Sequence, residues 1–265
     1  MSKHYALILG ASSGFGKEIS LALAGDGVGI LGVHLDRAST MPDVEKLKDD
    51  IRAKGVEAHF FNVNAADSVK RSEVIAEAKK IISNAGDDAT IKVMVHSLAF
   101  GTLKPLIADD PNEAANQKQI EMTLDVMGNS IVYWTQELIV NKLMKRGGKI
   151  YGMTSSGGSR QIEHYGIVSA AKACLESYVR QLSMELGSRG IAVNAIRAGV
   201  TDTPALRKIP NSQKIIDNAL QRNPDKRLTR PNEIAGFIID NYKNDSHWMT
   251  GNIINLDGGE SVVEL

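Results

Sequence analysis

Tyr165 and Lys172 stand seven residues apart in "HYGIVSAAK". On a helix that interval is nearly two turns at about 100° per residue, so both side chains share one face roughly 10 Å apart along the axis. A lysine so placed is a fixed positive charge able to hold ribose hydroxyls. It also favours proton release from a neighbouring phenol, whose free pKa is about 10. Taken alone, the pair equally fits a packed tyrosine and an exposed lysine. Its place just after an apolar run ending in "TSSGG", residues 154–158, favours the chemical reading.

A second cluster, "LILGASSGFGKEIS" at residues 7–20, spells two motifs at once. Gly10, Ser12 and Gly14 form G-x-S-x-G, the elbow that displays a nucleophilic serine in α/β hydrolases. Gly10, Gly14 and Gly16 form G-x3-G-x-G, a loop that cradles a dinucleotide pyrophosphate on a helix N-terminus. An elbow leaves Gly16 unexplained, whereas a cofactor loop needs close approach of helix and strand there. Asp36 lies twenty residues beyond Gly16, near the end of the next apolar run, where a carboxylate can bind a ribose hydroxyl. The cofactor loop is therefore the better reading.

These clusters need a scaffold. Short apolar runs at 5–9, 28–35, 58–63, 91–97, 149–155, 191–198 and 252–257 read as strands. Helical patterns lie between them, around 15–24, 42–54, 68–84, 114–144, 165–187 and 231–242. Apolar runs without strict alternation suit strands covered on both faces. The expected fold is a single α/β domain over 1–265, a Rossmann-type doubly wound parallel sheet of about seven strands with helices on both faces. Segment 201–227 carries three prolines after the sixth strand and reads as a lid over the site or as a solvated connection.

Lysine plus arginine equals aspartate plus glutamate at 31 each, which argues against nucleic acid or an anionic membrane as partner. A single cysteine, Cys174, and the absence of a secretory or membrane-spanning apolar run place the expected location in the cytoplasm.

Over essentially its whole length the chain resembles the short-chain dehydrogenases/reductases. "LGASSGFG" matches their cofactor loop, Asn62–Val63 their adenine contact, "VNAIRAG" their sixth strand and "GNIINLDGG" their last. Within the superfamily it looks like the enoyl-acyl-carrier-protein reductase branch. His96-Ser97-Leu98-Ala99 replaces the usual Asn-Asn-Ala-Gly, Asp125 replaces the usual helix asparagine, and Tyr/Lys spacing is Y-x6-K. Most of the superfamily uses Y-x3-K, which would need tyrosine where this chain has Val168. Moving the tyrosine away from the lysine fits chemistry in which hydride reaches Cβ while the thioester oxygen needs stabilising.

The resemblance implies roles residue by residue. Tyr165, Lys172 and Ser155 would be catalytic, with Ser156 the alternative to Ser155; many enoyl reductases carry a second tyrosine at that position. Gly10, Ser12, Ser13, Gly14, Phe15, Gly16, Asp36, Arg37, Asn62, Val63, Ser97, Leu98, Ala99, Lys172, Thr201 and Thr203 would hold the nucleotide. Gly101, Leu103, Tyr165, Ala205 and Leu206 would meet the substrate. Asp36 favours NADH, because its charge repels a 2′-phosphate. Arg37, with Ser39 and Thr40, could bind that phosphate and favours NADPH, so both cofactors stay open.

The expected reaction is NAD(P)H-dependent reduction of 2-enoyl thioesters in fatty-acid synthesis, the substrate carried on acyl carrier protein or on coenzyme A. The alternatives are turnover of a carbonyl or secondary alcohol and a non-catalytic dinucleotide-binding role. No metal is expected, since His96 has no second ligand at metal spacing. His164 and Cys174 read as structural. The resemblance also implies a homotetramer built through residues 114–144 and 165–187.

Overall fold

Each of the seven apolar runs forms a strand in the computed structural model, which describes residues 3–264. The strands are β1 (His4–Leu9), β2 (Gly29–His34), β3 (Ala58–Asn62), β4 (Thr90–His96), β5 (Lys149–Thr154), β6 (Ala192–Ala198) and β7 (Ile253–Leu256). They pair in parallel in the order β3-β2-β1-β4-β5-β6-β7. Alternate residues of one strand feed two cores. On β1, Tyr5, Leu7 and Leu9 enter one and Ala6 and Ile8 the other. This two-sided burial is why the runs read as continuous rather than alternating.

The helices cover both faces. α1 (Gly14–Gly25), α2 (Met41–Arg52) and α8 (Pro231–Tyr242) bury Ile19, Leu47 and Ile234 against one. α3 (Ser68–Ala85), α5 (Ser130–Val140) and α6 (Gly166–Leu186) bury Val74, Trp134 and Leu175 against the other. The order reverses between β1 and β4, so the crevice outside the carboxyl ends of those two strands is the switch point where ligands bind in such sheets.

Two stretches differ from the sequence expectation. The helix expected over 114–144 is interrupted. α4 (Gln117–Leu124) starts at a capping box, in which Asn116 accepts from the Gln119 amide at 3.0 Å and Gln119 accepts from the Asn116 amide at 3.1 Å. It then widens into a π turn over Asp125–Asn129, closed by the Ser130 amide on the Asp125 carbonyl, before α5 resumes. Gly128 and the Ser130 hydroxyl, which donates back to Val126 O at 2.7 Å, sit at this turn. Segment 201–227 is not plain loop either: it holds α7 (Ser212–Arg222), whose Ala219 is buried.

Among the described residues no helix is long and apolar enough to cross a membrane.

Candidate active site

At the end of β1 the chain turns through Gly10, whose φ of +87° is costly for any residue with a Cβ. A Cβ there would lie 2.3 Å from the Ser97 carbonyl oxygen, and one on Gly16 would lie 2.0 Å from that of Gly10. The loop, α1 and the end of β4 are thus packed backbone on backbone. Ser13 occupies the N-cap of α1 but makes no side-chain cap bond, and no acidic residue stands in the first turn. The first amides of α1 therefore face the crevice with their hydrogens uncommitted, the arrangement that binds a pyrophosphate. Thr203, from the segment after β6, brings its methyl close over Gly14.

Just beyond β2, Asp36 is held by three side chains: the Ser12 hydroxyl, Thr40 Oγ1 at 2.8 Å and His34 Nδ1 at 3.0 Å. Partial burial works against the charge, but these bonds win and keep the carboxyl below its usual range. Asn62 does not point outward. Its Oδ1 accepts from the Asp36 amide at 2.9 Å and its Nδ2 donates to the Asp36 carbonyl at 3.0 Å, so it clamps the loop that carries the carboxylate. Val63 lines a small apolar cleft with Leu35, Leu98 and Phe100. Arg37 is exposed, as are Ser13 and Ala99.

Tyr165 and Lys172 come to the same crevice. Tyr165 stands at the N-cap of α6, one residue before the helix begins. The preceding His164 has a φ of +59°, a left-handed turn that delivers the tyrosine to this border. Tyr165 is largely buried against Val126, Met127, Val168 and Ala171, and Gly157 leaves room beside its ring. Burial pushes its pKa up, and the Ser155 hydrogen bond opposes that shift. Tyr165 is a neutral phenol at neutral pH.

Lys172 donates to Met153 O at 2.7 Å and, more weakly, to Leu98 O at 3.4 Å, which ties it to the ends of β5 and β4. Burial pushes its pKa down to about 8, with Glu176 acting in the other direction. Glu176 accepts from Thr154 Oγ1 at 2.7 Å and pairs with Arg197 at 3.1 Å. The sequence reading missed this carboxylate, although its place one helical turn after Lys172 was the available signal. His96 is fully buried and its Nε2 bonds Ser130 Oγ at 2.8 Å; burial and then Lys172 push its pKa down to about 3.

The remaining expected residues sit around this pair. Ser155 contacts Tyr165, while Ser156 starts a short 3₁₀ turn. Leu103 packs on the cluster that holds Tyr165, and Gly101 is pressed against Thr123, Met127 and Val168. Thr201 is buried and donates to Gly199 O at 2.9 Å. Leu206 is buried and Ala205 half-buried in the segment leading to α7. Asp125 is not at the pair; it accepts from Tyr133 at 2.7 Å.

The family model described as Enoyl-(Acyl carrier protein) reductase matches residues 10–261. This chain is a short-chain dehydrogenase/reductase. Similar curated proteins include the 3-oxoacyl-[acyl-carrier-protein] reductases FabG of Staphylococcus epidermidis and Thermotoga maritima. Each is 26% identical; the first match covers 96% of this chain and 97% of the relative, the second 96% of both. Among solved structures, the enoyl-[acyl-carrier-protein] reductase (NADH) of Aquifex aeolicus superposes with a TM-score of 0.80 at 20% identity, covering 100% of this chain and 98% of that one. A short-chain dehydrogenase/reductase of Serratia marcescens gives 0.80 at 21% identity, covering 98% of each. At that identity these likenesses bear on the fold alone.

Proposed function

We propose that this short-chain dehydrogenase/reductase reduces the 2,3 double bond of enoyl thioesters in fatty-acid synthesis, with NADH as the preferred nucleotide. The observation that carries the reading is the position of the phenol. Tyr165 stands at the border of α6, whereas Val168, where Y-x3-K enzymes of the superfamily carry tyrosine, is buried in an apolar cluster with Val126 and Met127.

The unbonded first turn of α1 suits a pyrophosphate, the ordered Asp36 carboxylate suits a free ribose 2′-hydroxyl, and the cleft at Val63 suits a flat base. Asp36, charged at neutral pH, would repel a 2′-phosphate, which supports NADH over NADPH. When bound, the nicotinamide supplies the hydride. Tyr165, a neutral donor braced by Ser155, would hydrogen-bond the thioester oxygen as it gains enolate charge. Lys172 would hold ribose hydroxyls and place positive charge beneath the crevice. Leu103, packed on the cluster that holds Tyr165, and the buried Leu206 would flank the acyl chain.

A second reading has specific support: the curated relatives are named for 3-oxoacyl reduction, and a serine bonded to a tyrosine is a pair suited to polarising a ketone. One assay separates the two. Absorbance at 340 nm is followed with crotonyl and acetoacetyl thioesters, each with NADH and NADPH, for wild type and Tyr165→Phe. Crotonyl turnover preferring NADH, and lowered by about 10²–10³-fold in Tyr165→Phe, is the expected result. Acetoacetyl turnover without crotonyl turnover would assign the chain to carbonyl chemistry instead. We further propose that the protein works as a tetramer through α5 and α6 and in the cytoplasm.

A further inference from the structure

The amino end of the sheet, at the opposite end of the strands from the glycine loop, holds a cavity of mixed polar and apolar lining that the proposed reaction does not use. Its volume is about 110 Å³, and Lys149, Tyr151, Asn194, Asn241, Asn244 and Ser246 line it. At about 30 Å³ per water this is space for roughly three waters or one small oxyanion. Lys149 is the first residue of β5 and Thr154 the last, so the strand separates Lys149 from Ser155 by roughly 20 Å.

The cavity carries uncompensated positive charge. Lys149 is buried and donates to the Ser246 carbonyl, yet among the described residues no carboxylate lies within ion-pair distance of it. A second buried lysine, Lys92, is by contrast paired. Tyr5 pairs with Ile91 and Ala6 with Val93, so Lys92 is the extra residue of a β-bulge. Lys92 pairs with Asp245, whose side chain is 79% exposed. Lys92 thus has a carboxylate partner and Lys149, among the described residues, has none, and a buried charge without a partner is costly.

The lining is rich in donors. An ammonium has three hydrogens, and the Lys149 bond to Ser246 O uses one. Asn244 accepts from the Ser246 amide at 2.9 Å through Oδ1, which leaves its NH₂ group for a ligand. Asn194 is fixed by the Met249 carbonyl at 2.7 Å and by Asn252, giving that wall a set position. We propose that this cavity is a binding site for a small oxyanion, a carboxylate or inorganic phosphate, held by Lys149 with Asn244 and Ser246.

The test titrates the full chain with inorganic phosphate and, separately, acetate, following the melting temperature and the heat of binding. Wild type is expected to respond saturably to at least one anion, and the stronger response identifies phosphate or carboxylate as the source. Lys149→Met should weaken that response by at least about tenfold, and Asn244→Ala by less. Phosphate could also bind the glycine loop, so an equal response in wild type and both variants would overturn the proposal. So would the lack of a saturable response to either anion. If Lys149→Met does not fold, Asn244→Ala, whose residue is exposed at the rim, carries the comparison.

Discussion

Lys172 is a buried side chain whose charge costs stability. Burial pushes its pKa down to about 8, so in the unliganded fold it binds its proton less well than in the unfolded chain, where a lysine titrates near 10.4. The unfolded state then holds more protons between those values, and stability rises with pH across that window. The penalty is fully present below about 8 and vanishes above about 10.4. Lys172→Met should therefore be more stable than wild type at pH 7, by an amount on the order of 1–3 kcal/mol, and should flatten the rise between pH 8 and 10. Urea unfolding of both proteins at a series of pH values measures this; parallel curves would mean that the buried charge is already compensated. That Tyr165 and Lys172 come to one crevice was readable from their spacing. The state of the phenol was not. Its raised pKa comes from Val126, Met127, Val168 and Ala171 closing around it, residues from two helices that no local pattern brings together.

Strands were easier to read than helices because seven apolar runs buried on both faces leave a strong local signal, whereas the shape of the long helix depends on a tertiary contact. The run from 114 to 144 has helical periodicity throughout, yet it opens into a π turn at Asp125–Asn129. His96 at the end of β4 reaches that turn. Ser130 gives its hydroxyl proton to Val126 O, so it must accept from His96 Nε2, which leaves Nδ1 bare and buried. This bond links the central strand to the turn whose Val126 and Met127 pack in the cluster around Tyr165. Ser130→Ala would strand the imidazole N–H in an apolar site and should cost about 1–3 kcal/mol. The urea midpoint should fall at unchanged slope. A loss below about 0.5 kcal/mol would show that the turn holds its shape without the bond. In the same way α7 was hidden: proline frequency marked 201–227 as irregular, but Asn223 Nδ2 anchors its end to the Asp257 carbonyl at 3.1 Å, from a segment 34 residues away.

The whole sheet places its glycine loop, Tyr165 and Lys172 at one end, and α5 and α6 pack against one of its faces. Val140 at the end of α5 is 77% exposed and Met184 on α6 70%. Nearby, Arg71 stacks its guanidinium 5.0 Å from the centre of the Tyr133 ring, with Nε and Nη1 buried and without partners. Tyr133 and Tyr178 direct their hydroxyls to Asp125 and Asn129 in the π turn, so the outer face and the wall of the catalytic cluster share one backbone segment. Covering these helices with copies of themselves would bury the exposed apolar side chains and brace that segment from outside. Symmetric pairing is the usual way a chain meets such a need. Light scattering at micromolar concentration should accordingly give about four times the 28.6 kDa chain mass. Val140→Lys with Met184→Glu should lower that mass and reduce turnover together, because the π turn loses its outer support. A monomeric wild type that turns over substrate would refute the assembly and leave the site self-sufficient. A dissociated variant with full activity would keep the tetramer but remove its role in shaping the site.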